Sequence, residues 1–201
     1  MRAARFAAEQ ARVFAADLSD PAALSAAANA FTAAHPDKLT SLAATIAMLE
    51  QRAATADDAA AEALLRVVAA MRADGLGMGW IHFRVNASQL QNAIRRRIDP
   101  DGKLDLGSQA ALVRLRELLA AVKPLRANMA ALAIENSTAV RQFLLIAQIL
   151  HHVDADTPIR MLVAECEQPT TVLAALYFAR LFGIADKVGS LEIGKDATLI
   201  V

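Results

Sequence analysis

Three residues in this 201-residue chain carry the most chemical potential: an arginine and two acids around a cysteine. Arg84 lies within the apolar run Trp80-Ile81-His82-Phe83-Arg84-Val85, after Gly75, Gly77 and Gly79 and just before Asn86. That run reads as a strand, and Asn86 is suited to cap a helix that follows it. An arginine at the carboxyl end of such a strand points toward the usual ligand crevice of an α/β layer, and its planar fork suits phosphate or carboxylate. A structural salt bridge or a snorkelling edge residue explains Arg84 equally well on residue chemistry alone. Glu165 and Glu167 bracket Cys166 after a second apolar run, residues 159–164. In extended geometry the two acids share a face, as paired acid/base or metal carboxylates do. The plainer reading, negative charge beside the N-terminus of a helix opening at Pro169, is favoured because no third ligand accompanies them. Flanking carboxylates disfavour the Cys166 thiolate, so a nucleophilic role is not expected.

Other features offer weaker chemistry. Gly75-x-Gly77-x-Gly79 follows a helix and precedes a strand, the reverse of the order a dinucleotide loop needs, so it reads as a connecting loop. His151 and His152 are neighbours at a helix end, diverge by about 100°, and cannot chelate one metal from one face. His35, beside Pro36, carries no signal. Arg95-Arg96-Arg97 reads as a solvated helix end. From the residues alone no catalytic group and no metal ligand is assigned.

The elements that must position Arg84 and the acids are mostly helical. Alanine fills 27 of the first 70 positions, and alanine is the strongest helix former. The opening stretch reads as an amphipathic helix rather than a signal peptide, because Glu9 and Asp17 interrupt it. Asp20-Pro21 starts a helix, Asp37 is expected to cap one with Leu42, Ile46 and Leu49 on one face, and Thr55 to Asp58 opens another with Leu64, Leu65 and Val68 as its apolar stripe. Beyond the first strand, helices are expected from Asn86 to Arg97, from Ser108 to about Val122, over 125–134 and over 138–152. A strand over 159–164 and a helix from Pro169 to Gly183 follow. A hairpin is expected at the end, with arms at 190–193 and 197–201. Asp99-Pro100-Asp101-Gly102 reads as a turn.

Composition excludes several function classes. Lys plus Arg and Asp plus Glu are 21 each, so the net charge is zero and the electrostatic drive for nucleic-acid or membrane-surface binding is missing. With 56% hydrophobic residues the chain can fill a core, and at 4% aromatic that core must be aliphatic. A single cysteine rules out an internal disulfide. No apolar run reaches the ~18 residues of a membrane span. A cytoplasmic location, with no nucleic-acid or membrane partner, is the expectation.

From Gly77 to about Val188 the chain resembles phosphoenolpyruvate carboxylase of a divergent bacterial type. Trp80-Ile81-His82-Phe83-Arg84-Val85-Asn86-Ala87-Ser88-Gln89 stands where that family has a strand ending in D-I-R-Q. Ser137-Thr138-Ala139-Val140-Arg141-Gln142-Phe143 is similar to its S-x-x-T-R-x-V stretch. The longest match is L-V-A-E-C-E-Q-P-T-T-V-L-A-A-L-Y-F-A-R-L-F-G-I-A-D-K-V at 162–188. The resemblance implies a parallel β/α barrel embedded in helices, carboxylation of phosphoenolpyruvate with bicarbonate to oxaloacetate and phosphate, and Mg²⁺ or Mn²⁺ as cofactor. It also implies that Arg84 contributes to the substrate and metal site, although His82 replaces the motif's Asp and Val85 its Gln. The family's D-I-x-P-L-F-E-T strand, its later metal Asp, its H-G-R-G-G loop and its catalytic His have no visible counterpart. Instead, Gly189-Ser190-Leu191-Glu192-Ile193-Gly194-Lys195-Asp196-Ala197-Thr198-Leu199-Ile200-Val201 resembles the C-terminal tail of amidohydrolases.

The expectation is therefore a mostly α chain with two or more strands, a partial β/α-barrel sector of a phosphoenolpyruvate-carboxylase-like fold. Its parts are an alanine-rich helical segment (1–75), a carboxylase-like segment (76–188) and an amidohydrolase-like hairpin tail (189–201). Functionally it is expected to be a carboxylase segment inactive alone, with Arg84 as substrate contact and no tightly held metal. Phosphoenolpyruvate and bicarbonate are the expected small-molecule partners, and a homo-oligomer is possible through exposed strand edges. The alternatives are a non-catalytic helical interaction module and an amidohydrolase-related chimera.

Overall fold

A computed structural model describes Ala15, Asp17, residues 19–77 and 80–188, and the backbone of 198–200. The helix expected before residue 19 and the hairpin arm expected at 190–193 lie outside these residues. The described chain is mostly helical with a short parallel sheet, and it divides into two compact units.

The first unit is the described part of Met1–Gly79 with Gln148–Pro158. Helix α1 (Pro21–Thr32) begins as expected: the Asp20 carboxylate accepts from the Ala22 and Ala23 amides, and Pro21 supplies a preset φ at the first position. It buries none of its residues. Helix α2 (Ala43–Ala53) starts six residues after Asp37, which does not cap it. The acid serving its start comes from far along the chain: Asp156 Oδ2 accepts from the Leu42 amide at 2.6 Å and the Ser41 hydroxyl at 2.8 Å. Leu42 is buried while Ile46 and Leu49 are half-buried. Helix α3 (Asp58–Asp74) is capped by Asp57 and packs against α2, with an Arg72–Glu50 ion pair at 2.7 Å. Val68 is buried, but Leu65, expected on the same stripe, is exposed.

Gly75 ends α3 at φ 63°, and a Cβ there would lie 3.1 Å from Asp154 Oδ2 and 3.3 Å from the Thr157 backbone. Only glycine meets both demands.

The second unit is Trp80–Ala147 with the described part of Ile159–Val201. Strand β1 (Ile81–Asn86) runs parallel to β2 (Ile159–Ala164), pairing Ile81 with Ile159 through Asn86 with Ala164. Strand β3 (Thr198–Ile200) lies parallel on the other side of β2, so the order is β1-β2-β3. The described part of the expected tail hairpin thus pairs with β2.

Between β1 and β2 come α4 (Ala87–Ile98), α5 (Gln109–Ala121), the short α6 (Ala131–Ile134) and α7 (Thr138–His152). The last five residues of α7 belong to the first unit. The helix expected over 125–134 contracts to α6. Beyond Pro124 the Leu125 amide bonds the Leu181 carbonyl at 2.6 Å instead of starting a helix, and the Asn128 side chain accepts from the Ala131 amide. Helix α8 (Pro169–Leu181) closes near Gly183 at φ 69°.

Val85, Ile159, Met161 and Val163 are buried on one face of the sheet. The core with them is large: Leu90, Ile94, Leu115, Phe143, Ile146 and Phe178 are all fully buried. Phe143 and Phe178 rings lie 5.7 Å apart, and Tyr177 meets Phe178 edge-on at 5.2 Å. The two-residue period of strands puts His82, Arg84, Arg160 and Leu162 on the opposite, less covered face. Among the described residues no helix is long and apolar enough to cross a membrane.

Candidate functional site at the carboxyl ends of the strands

Arg84 lies in the second half of β1, two residues before its end, and is exposed. Its carbonyl accepts from Gln142 Nε2 of α7 at 2.5 Å, so a side-chain amide takes a place that a neighbouring strand would fill. Asn86 then turns the chain into α4 through a reciprocal capping box: its Oδ1 accepts from the Ser88 amide, and its own amide donates to Gln89 Oε1. Asn86 Nδ2 donates to Glu165 Oε2 at 2.6 Å. Residues 84–89, 142 and 165 are thereby drawn from three distant stretches to one place.

The extended geometry that would pair the two acids is not adopted. Glu165 has φ 57°, a left-handed conformation that costs a non-glycine residue about 1–2 kcal/mol, and it ends the strand. With extended geometry lost, Glu165 and Glu167 do not form the paired-carboxylate face, and Glu165 is engaged by Asn86. Burial pushes the Cys166 thiol up, partly offset by a hydrogen bond with Thr171. The protonated thiol is thus favoured by desolvation rather than by the flanking acids.

A further cation stands on the Arg84 face. Arg160 pairs in register with His82, and its guanidinium carbon lies 3.3 Å from the centre of the Trp80 ring. Arg160 Nε is buried with no hydrogen-bond partner, a situation costing roughly 1–3 kcal/mol. Among the described residues no carboxylate pairs with Arg84 or Arg160. The sequence reading passed over Arg160. Its signal was available: with residues 80–85 and 159–164 both read as strands, Arg160 was one of the few charges inside an apolar run.

Elsewhere the arrangement is structural. Leu76 and Gly77 amides both donate to Asp154 Oδ2, so these two loop donors are engaged by a carboxylate of the same chain. Of the arginine run, Arg95 is not a solvated end: Nη1 bonds Asp99 Oδ2 at 2.9 Å and the Leu104 carbonyl at 2.8 Å. Backbone donation from Leu104, then from Lys103, with the Arg95 guanidinium beside it, holds the Asp99 carboxyl below its ordinary range. The rings of His151 and His152 are 6.2 Å apart. Burial, then the nearby Lys38 and His151, lowers His152. The Mg²⁺ or Mn²⁺ implied by the resemblance finds no complete donor set here. Among the described residues no three His, Cys, Asp or Glu side chains converge, and Glu165, nearest the strand ends, is bonded to Asn86.

Compared with protein-family models, curated proteins and solved structures, the chain matches none.

Proposed function

We propose that the chain is a phosphoenolpyruvate-carboxylase-like segment, cytoplasmic and built as a sector of a β/α barrel. It holds the phosphate of phosphoenolpyruvate through Arg84 but does not complete carboxylation by itself. The observation that carries this reading is Arg84's place: exposed, at the carboxyl end of a parallel strand, on the face away from the core, with no carboxylate partner among the described residues. The hydrogen bonds from Gln142 to Arg84 and from Asn86 to Glu165 support it, because they join the stretches whose residues resemble the family.

In this reading the Arg84 fork receives two phosphate oxygens, and Gln142 fixes the backbone that presents it. Carboxylation develops negative charge on an enolate and on a phosphoryl group passing to bicarbonate. One arginine cannot meet both, so binding without turnover is the expected behaviour. Calorimetric titration with phosphoenolpyruvate tests it. Arg84→Ala should weaken binding about 10- to 100-fold, the equivalent of one charged hydrogen bond. Equal affinity in the two proteins would remove Arg84 from the site.

A second reading, a module that associates with copies of itself, is favoured by the sheet order: among the described strands β1 has a strand neighbour on one side only. Light scattering distinguishes a discrete oligomer, which that reading requires, from a monomer.

A further inference from the structure

The geometry points to Arg160, set over the Trp80 ring, as a second anion-binding arm that joins Arg84 and His82 in a site for a small phosphorylated acid on the open face of the sheet. This deepens the reading of Arg84 and rests on it for the placement of the phosphate.

Four observations lead there. First, the guanidinium of Arg160 lies 3.3 Å from the Trp80 ring centre, well inside the roughly 6 Å within which a cation feels the ring face. A stacked guanidinium is already oriented, so it loses little freedom when an anion docks on its fork. Second, the group is underused within the chain: its Nε makes no hydrogen bond, and no carboxylate pairs with it among the described residues. Third, the register fixes its neighbours. His82 is directly opposite Arg160, and Arg84 is two residues further along β1 on the same face. Strands about 4.8 Å apart, rising about 3.3 Å per residue, put the Arg84 and Arg160 Cα atoms roughly 8 Å from each other. The Arg160 head lies over Trp80, toward the start of β1, so it is the exposed Arg84 side chain that must lean back along the strand for the two to share a ligand. Fourth, two arginines, Arg84 and Arg160, lie on one face of a chain whose net charge is zero. Like charges so placed repel unless an anion lies among them. Two separated cationic arms select a molecule with two anionic groups, a phosphate and a carboxylate, over one carrying either alone.

Trp80 is the only tryptophan in the chain, so its fluorescence reports on the face of Arg160 directly. Phosphoenolpyruvate, pyruvate, inorganic phosphate and potassium chloride at matched ionic strength are titrated into the full chain, with calorimetry alongside. The expected result is a saturable change in Trp80 emission with phosphoenolpyruvate, a weaker one with phosphate or pyruvate, and none with chloride. Arg160→Gln should then lose at least tenfold in calorimetric affinity, and Arg160→Lys, which keeps the charge without the planar fork, about three- to tenfold. If Arg160→Gln loses its helical circular dichroism, the lysine variant decides. A response matched by chloride, or no saturable response, overturns the inference. So does unchanged affinity in both Arg160 variants; if Arg84→Gln still weakens binding in that case, the reading of Arg84 survives without its second arm. Conversely, loss in the Arg160 variants with none in Arg84→Gln supports the Arg160 arm and removes Arg84 from the site.

Discussion

Each of the two units is stabilised internally by different physics. The sheet unit buries Phe143, Phe178, Leu90, Ile94, Leu115, Ile146, Met161 and Ile184, side chains each worth about 1.5–3 kcal/mol of transfer free energy. The helical unit buries Leu42, Ala53 and Val68, and α1 buries nothing. What it has instead is a buried polar loop. Asp154 accepts from the Leu76 and Gly77 amides and, through its other oxygen, from Asp156. Asp156 accepts from Ser41 and Leu42, and the Ala155 amide bonds the Thr40 carbonyl at 2.6 Å. Alanine makes helices readily but contributes little burial, so short helices rich in it need ties at their ends. The lesson is that helix propensity and core strength are separable, and one chain can rely on either.

The largest expected effect tests the sheet side of the contrast. Phe178→Ala should cost about 3–5 kcal/mol, a large share of a domain's usual 5–15, and remove the cooperative melting of the sheet unit. Denaturant unfolding measures it. A loss under about 1 kcal/mol would mean that the aromatic cluster is not where this unit's stability lies.

The loop side comes next. Asp154→Ala or Asp156→Ala leaves part-buried amides without acceptors, at about 1–3 kcal/mol each. Hydrogen exchange at Leu42, Leu76 and Gly77 should speed up, while that at Val85 and Met161 stays slow. Equal acceleration in both sets would dissolve the distinction between the units.

How much of this was readable beforehand follows the same division. Asp20, Asn86 and Ser108 were legible as helix starts because a cap acts over three residues. The sheet strands were legible because β-branched and aromatic residues cluster there. Asp37 failed because the acid that serves α2 is 114 residues from Leu42, a separation no local pattern encodes. The helix over 125–134 failed because the Leu181 carbonyl captures the Leu125 amide. At the candidate site Arg84's strand position could be read, whereas the left-handed turn at Glu165 and the stacking of Arg160 on Trp80 arise only in three dimensions.

The smallest effect is on pH. His152, in the helical unit, is lowered by burial and by Lys38 and His151, so the folded state favours neutral imidazole. Its contribution is fully present above the ordinary histidine value of about 6.5 and is lost as pH falls through the lower folded value. The melting temperature of the parent should therefore decline more on mild acidification than that of His152→Gln. Parallel curves would remove His152 from the balance.

The role proposed for Arg84 is to hold phosphoenolpyruvate without turning it over. Phosphorus-31 magnetic resonance of phosphoenolpyruvate mixed with the chain, bicarbonate and Mg²⁺ reads both halves at once. The expected spectrum shows a shifted or broadened substrate resonance that returns to its free form in Arg84→Gln, with no growth of inorganic phosphate. An unperturbed resonance, or phosphate released at a rate that depends on Arg84, contradicts the claim.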